Sequence, residues 1–292
     1  MSHPPLFRSA RGRQLILDAG DRNLRNIRQP FSTREVSTRW GPTWVLEAGP
    51  RDAPPLLFLH GIATHSPAYD HEINGLSTRF RVFAPDIPGQ PGRSIERTLP
   101  FQGRAYGDWA TDLLDALGLE AVHVAGFSMG GYATLKLAEA APERVRRAAL
   151  IVPLGLAPGR LATIPRFLLN QVLYRLRPTP DRLAAMNGPI GSPEQSVGPV
   201  MEELLGLVTL HFRMKIQPTP LVRREQLARY DRPTLVLVAE HDCFWHAGET
   251  LAGAHRLLAR PTVELLRGQG HVPIAAHREA NAARALSFLA EA

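Results

Sequence analysis

The sequence predicts an α/β fold, a mostly parallel central sheet flanked by helices, and three observations predict it. Short apolar runs, Pro55-Leu56-Leu57-Phe58-Leu59, Ala121-Val122-His123-Val124-Ala125 and Thr234-Leu235-Val236-Leu237-Val238-Ala239, have the pattern of strands buried on both faces. Amphipathic stretches separate them, so strand and helix alternate, which implies right-handed crossovers and a sheet covered on both sides. Ser128, Asp242 and His271 each fall just past such a strand, where open α/β sheets place their sites.

Taken in order, residues 9–29 carry Leu15, Ile16, Leu24 and Ile27 among arginines, a loose amphipathic helix with a break expected at Gly20. It reads as a helix packed on the core with a solvated basic face, in preference to a membrane-surface helix. Residues 34–39 and 43–48 flank Trp40-Gly41-Pro42 and read as a hairpin. After the strand at 55–59 come a helix at 66–78, a strand at 81–85 and an amphipathic helix at 103–117 closed by Gly118. The strand at 121–125 leads into a helix, and 148–152 is a further strand. The alternation then stops. Between Leu154 and Gln217 the pattern is leucine-rich and helical, punctuated by Pro165, Pro178, Pro180, Pro189 and Pro199, and reads as a helical cap inserted after the strand ending near Val152. Strands at 234–239 and 262–266 and helices at 246–259 and 278–290 complete the chain. The expected organisation is a core of residues 1–153 and 218–292 with a cap at 154–217.

The most informative stretch is Gly126-Phe127-Ser128-Met129-Gly130-Gly131, lying between a strand and a helix. This is the context of the Gly-x-Ser-x-Gly nucleophile elbow, in which a sharp turn lifts a serine hydroxyl out beside a helix N-terminus that favours negative charge. A serine alone is a poor nucleophile; it needs a base to take its proton and an acid to orient that base. His271, in Gly268-Gln269-Gly270-His271 after the last strand, is the candidate base, and Asp242 the candidate acid. Glu240, two residues earlier, is an alternative acid, and Asp242 could instead cap the following helix. A tetrahedral oxyanion needs two convergent donors, expected from the backbone N–H of Met129 and of Ile62. His60 and Asp86 read as structural, Cys243 as a small packed residue. The cap side chains Phe167, Phe212 and Met214 are the expected substrate pocket.

Composition narrows the alternatives. The charge of +7 raises the question of nucleic acid, but 32 of the 34 basic residues are scattered arginines, without a basic stretch interleaved with aromatics, so no nucleic-acid partner is expected. One cysteine excludes an intramolecular disulfide, the N-terminus lacks a continuous apolar signal region, and no run approaches ~18 apolar residues. A cytoplasmic protein without a membrane span is expected. The histidines form no metal-ligand spacing and no phosphate-cradling glycine loop is present, so neither metal nor cofactor is expected.

The set His60-Gly61, Asp86-x-Pro88-Gly89-x-Pro91-Gly92-x-Ser94, Gly126 to Gly131, Glu240-His241-Asp242 and Gly270-His271 resembles the α/β-hydrolase superfamily from about residue 34 onward. Within it, residues 113–120 and Pro142-Glu143-Arg144-Val145, together with the leading helix, resemble bacterial carboxylesterases of the naproxen-esterase-like kind. The resemblance implies an α/β-hydrolase fold and a serine esterase working through an acyl-enzyme on small to medium apolar esters, its partners being an ester and water. The scaffold also hosts thioesterases, lactonases, carbon–carbon bond hydrolases and ligand receptors with little turnover. The oligomeric state is left open, a homodimer included.

Overall fold

The computed structural model describes residues 5–160, 163–193, 196–215, 217 and 220–291. Residue 218, the expected start of the second core segment, lies outside them. Helix α1 (Ala10–Leu24) opens the chain, capped by the Ser9 hydroxyl, which accepts from Gly12 N–H at 3.0 Å. The helix runs through Gly20 without the break expected from sequence. Gly20 is buried, and a Cβ there would stand 3.3 Å from the His65 ring and 3.4 Å from the Arg93 guanidinium. It is a close-packing glycine, which periodicity does not distinguish from a helix stop.

Strands β1 (Phe31–Thr38) and β2 (Gly41–Ala48) form an antiparallel hairpin, each starting earlier than the apolar pattern suggested. Then follow β3 (Pro55–Leu59), a 3-10 turn at Ser66–Tyr69 leading into α2 (Asp70–Leu76), β4 (Arg81–Pro85), α3 (Ala105–Leu117), β5 (Val122–Phe127), α4 (Met129–Ala140) and β6 (Val145–Ile151). Pro67 sits in the first turn of the 3-10 segment, and Gly118, at φ 70°, closes α3 in the left-handed conformation. β6 begins three residues before its apolar run because Arg146 and Arg147 hid its start. The Arg147 guanidinium lies 4.5 Å over the Phe288 ring and reaches Glu291.

After β6 the described residues form the α-helices α5 (Ile164–Leu176), α6 (Pro180–Asn187) and α7 (Pro199–His211), each with a proline in its first turn, where the missing N–H is no loss. β7 (Thr234–Ala239), α8 (Ala247–Leu257), β8 (Pro261–Leu266) and α9 (Ala275–Leu289) end the chain. The eight strands make one sheet in the order β1-β2-β4-β3-β5-β6-β7-β8, parallel from β4 to β8, with β2 antiparallel to β4.

Successive residues of a strand feed opposite faces. Leu57 and Leu59 of β3 enter an apolar cluster with Trp109 and Leu113 of α3, whereas Leu56 and Phe58 join Ile73 and Leu76 of α2 and Phe288 of α9. α1 packs on α7, and the strand-like bridge Phe7↔Phe212 ties the N-terminal segment to the end of α7. The Phe7 and Phe212 rings meet edge to face at 5.0 Å. Among the described residues, no helix is long and apolar enough to cross a membrane.

His65, packed against Gly20, is buried with no partner for either ring nitrogen among the described residues. Burial drives its pKa down to about 4, with His60 and Arg93 adding to the shift and Asp86 opposing it. The unfolded chain therefore takes up a proton from about pH 6.5 downward that the fold refuses until about pH 4, so stability is lost on acidification through that window. In His65→Phe the fall of Tm between pH 7 and pH 4 is expected to be shallower than in the wild type. Parallel Tm–pH curves would show that His65 does not carry this loss.

Candidate active site

Ser128 is the one residue between β5 and α4, and reversing direction within it requires φ 53° and ψ −111°. This left-handed backbone costs a non-glycine residue roughly 1–3 kcal/mol and persists only where the surroundings enforce it. Here Ser128 N–H donates to Ile151 O at 2.9 Å, while Ser128 O accepts from Tyr132 N–H at 3.2 Å and Leu154 N–H at 3.1 Å. Two glycines make room: a Cβ on Gly126 would overlap the Gly130 carbonyl, and one on Gly130 would overlap the Leu59 carbonyl.

β7 and β8 are paired in register to their ends, Ala239 opposite Leu266, so the loops beyond them emerge side by side. The first carries Asp242 and the second His271. The structure brings both to Ser128. His271 Nδ1–H donates to Asp242 Oδ2 at 2.8 Å, and Ser128 Oγ–H donates to His271 Nε2 at 3.0 Å. All three side chains are buried. Asp242 Oδ1 accepts from the N–H groups of Phe244 (2.8 Å) and Trp245 (3.2 Å), so the carboxylate is fixed from both sides. Glu240 is turned elsewhere: its Oε2 accepts from Gly268 N–H at 2.8 Å.

Ile62 and Met129 stand at equivalent places beyond the ends of neighbouring strands. Leu59 of β3 pairs with Gly126 of β5, and each residue lies three positions beyond. Gly61 N–H donates to Tyr69 OH and Ala63 N–H to Gln90 Oε1, at 3.0 and 2.9 Å, whereas Ile62 N–H has no acceptor among the described residues. Met129 N–H, in the first turn of α4, is likewise without one, as helix geometry dictates. Both residues line the cavity that Ser128 and His271 line.

The other candidates have structural partners. His60 is fully buried, donates from Nδ1 to Gly61 O and accepts from Ile87 N–H at Nε2, both at 2.8 Å; burial lowers its pKa against the pull of Asp86. Asp86 accepts from Ser66 N–H and Arg93 N–H, each at 2.8 Å, which holds the turn after β4. Burial beside Asp242 pushes the Cys243 thiol up to about 12, so a thiolate is disfavoured there.

The cavity encloses about 620 Å³ between the sheet's carboxyl edge and helices α5 to α7. Phe167, Phe212 and Met214 line it, with Leu154, Val172, Leu205 and Val208. Sequence reasoning missed Phe244 and Trp245, whose rings lie 4.8 and 5.1 Å from that of His271. The available signal was an aromatic pair following Asp242 on the same loop. It also missed Asn187 at the end of α6, which periodicity gave no reason to single out. Among the described residues no group of three or more His, Cys, Asp or Glu side chains could hold a metal ion.

A model of the alpha/beta hydrolase fold family matches residues 54–187. The chain is 29% identical over 261 residues to carboxylesterase YbfK of Bacillus subtilis, covering 87% of this chain and 86% of that one. The crystal structure of that protein aligns with TM-score 0.81 at 25% identity, over 96% of this chain and 99% of the other. Naproxen esterase of Bacillus subtilis shares the fold with TM-score 0.81 at 24% identity, over 95% and 99% of the two chains. The magnesium-chelatase 30 kDa subunit of Rhodobacter capsulatus is 30% identical over 260 residues, 88% of this chain and 85% of that one.

The backbone contact at Gly130 is directly testable. Gly130→Ala forces Cβ into the Leu59 carbonyl and is expected to cost more than ~3 kcal/mol, or to prevent folding. Gly188→Ala, where a Cβ meets nothing within 4 Å, is expected to stay within about 0.5 kcal/mol of wild type. Thermal unfolding of the two variants gives the comparison; similar losses would contradict the packing described.

Proposed function

The chain belongs to the α/β-hydrolase family, and we propose that it is a serine carboxylic-ester hydrolase working through an acyl-enzyme. The observation that carries this reading is the hydrogen-bonded series Ser128–His271–Asp242 opening into an apolar cavity. The likeness to carboxylesterase YbfK over most of both chains supports the same class.

In the proposed mechanism Ser128 Oγ attacks the ester carbonyl carbon as its proton passes to His271 Nε2. Asp242 holds the ring with its proton on Nδ1, so that Nε2 presents a lone pair to the serine, and its carboxylate stabilises the imidazolium that forms. The tetrahedral oxyanion is received by the amides of Ile62 and Met129, the latter at the positive end of α4. Collapse breaks the bond to the alkoxide, which leaves with the proton from His271. Water then attacks the acyl-enzyme by the same steps, releasing the acid and restoring Ser128. Phe244 and Trp245 shield the imidazole from bulk water, which strengthens its bond to Asp242. Phe167, Phe212 and Met214 form the apolar pocket for the acyl or alcohol chain in this reading.

Turnover of a p-nitrophenyl ester series of increasing acyl length, run beside a thioester and a vinylogous diketone, tests the assignment. The oxygen esters are expected to be the better substrates, and Ser128→Ala is expected to lose at least about 10⁴-fold in kcat while keeping the wild-type Tm. A folded Ser128→Ala protein with a tenth of the activity would exclude the covalent mechanism.

The acid is tested separately. Asp242→Asn is expected to lower kcat by about 10⁴-fold through the wrong imidazole tautomer. Glu240→Gln should cost less than about fivefold, since its carboxylate faces Gly268 N–H and His241 and not His271. Equal losses in the two variants would reassign the acid.

A further inference from the structure

The cavity next to Ser128 is apolar in its body but not at its rim. Arg8, Arg175, Arg213 and Lys215 all line it, and no carboxylate does among the described residues. Elsewhere some guanidinium groups are met by acids, as in Arg39–Asp112, Arg93–Asp21, Arg144–Asp115 and Arg284–Glu264. None of the four rim cations has an acidic partner within 4.0 Å among the described residues.

Their positions are built. Arg8 N–H donates to His211 O and Arg213 N–H to Leu6 O, both at 2.8 Å, on either side of the Phe7↔Phe212 bridge, so the two arginines are held at one place. The Arg213 guanidinium is fixed on Pro5 O and Phe7 O at 3.0 and 3.1 Å, and Arg175 Nε on Thr209 O at 3.2 Å. The Arg8 guanidinium pKa is lowered by burial and by the nearby charges of Arg175 and Arg213. Like charges gathered without counterions destabilise a fold unless they receive an anion.

A second observation is independent of charge. Asn187 lines the same cavity, is 3% exposed, and has neither amide nitrogen nor amide oxygen hydrogen-bonded among the described residues. A buried amide left unpaired costs about 1–3 kcal/mol, so a ligand bearing a polar atom would satisfy what the protein does not.

We infer that the ester taken here is an amphiphile, an apolar body ended by an anionic group that Arg8, Arg175, Arg213 and Lys215 receive at the cavity rim. This rests on the esterase reading above and narrows its substrate class from apolar esters to esters carrying a carboxylate or phosphate at a distance from the scissile bond. Oxygen of either anion accepts from guanidinium and ammonium alike.

Two matched pairs of esters test it. The p-nitrophenyl half-ester of octanedioic acid is compared with p-nitrophenyl octanoate, which places the charge on the acyl side. The para-carboxyphenyl ester of octanoic acid is compared with its methyl-capped counterpart, which places it on the alcohol side. In at least one pair the charged ester should have the higher kcat/KM, by roughly fivefold or more at about 0.01 M salt. The ratio should fall toward one at about 1 M salt, where the screening length is only ~3 Å. Arg8→Gln with Lys215→Gln, two side chains that hold no other group among the described residues, should lower the ratio about threefold, and Arg8→Glu with Lys215→Glu should invert it. Arg51→Gln with Arg79→Gln removes the same net charge away from the cavity and should leave the ratio unchanged. Phosphate-ended esters of the same length distinguish a carboxylate from a phosphate preference. Turnover of the neutral esters with no charged preference in either pair, or a preference indifferent to salt and to the rim variants, would overturn the inference and leave the esterase reading standing. No turnover of any of these esters would overturn both.

Discussion

The structure depends on a backbone contact between the turn at Ser128 and strand β3. Gly130 lies so close to the Leu59 carbonyl that no side chain fits between them, and Gly126 is in the same relation to Gly130. The contact clamps the start of α4 onto the end of β3, which is how one residue can reverse the chain while in a costly conformation. Val152, also left-handed at φ 44°, follows the strand on the other side and anchors through its N–H to Leu237 O at 2.8 Å. The strained turn is thus enclosed by β3, β6 and β7, and the sheet's register fixes where the Ser128 hydroxyl stands. The same register brings Ile62 and Met129 to equivalent positions, so the proposed oxyanion donors follow from the packing that places the proposed nucleophile.

A buried carboxylate is costly unless its oxygens are satisfied. Asp242 meets that condition with two loop amides on one oxygen and His271 on the other, and the ring of His271 is walled by Phe127, Phe244 and Trp245. The loop carrying Asp242 therefore does two things: its backbone orients the carboxylate, and its next side chains dry the imidazole. Low local polarity strengthens the hydrogen bonds of the series.

The order of strands and helices was legible because buried parallel strands read as continuous apolar runs, and β7 begins and ends where its run does. Boundaries were less legible where a charged residue folds back on a neighbour, as Arg147 does on Phe288 at the start of β6. Gly20 was misread because a glycine that admits a neighbouring ring and one that ends a helix are the same letter. At the site, the placement of Ser128, Asp242 and His271 past strand ends is visible in sequence, and the geometry puts the three within hydrogen-bonding distance. In the sequence Asp242 is the expected acid and Glu240 the alternative, since both follow β7; the loop conformation turns Asp242 toward His271 and Glu240 toward Gly268. The cavity walls were partly legible. Phe167, Phe212 and Met214 stand out as large apolar residues, but Arg8 and Asn187 reach the cavity through contacts far apart in the chain.

Those distant contacts give the molecule two regimes of order. Around Ser128 the backbone is tied to β6 and to the first turn of α4, and Ser128, Met129, Asp242 and His271 are buried. The far wall is assembled from α5, α6, α7 and the N-terminal segment, joined by the Phe7↔Phe212 bridge and the edge-to-face pair of the same two rings. Helix α5 turns Leu168 and Val172 toward the cavity and leaves Leu169 and Leu176 56% and 76% exposed, so it is held by one face only. Elements with few buried contacts open at lower free-energy cost than those in the core. Motion that admits a substrate is therefore expected on the wall proposed to select it, while the groups proposed to do the chemistry stay fixed to the sheet. The placing of the cationic rim on this wall follows the same division: a charge exposed to solvent at the mouth can meet an anion before the apolar body is buried, whereas a cation beside Ser128 would have to be desolvated in advance.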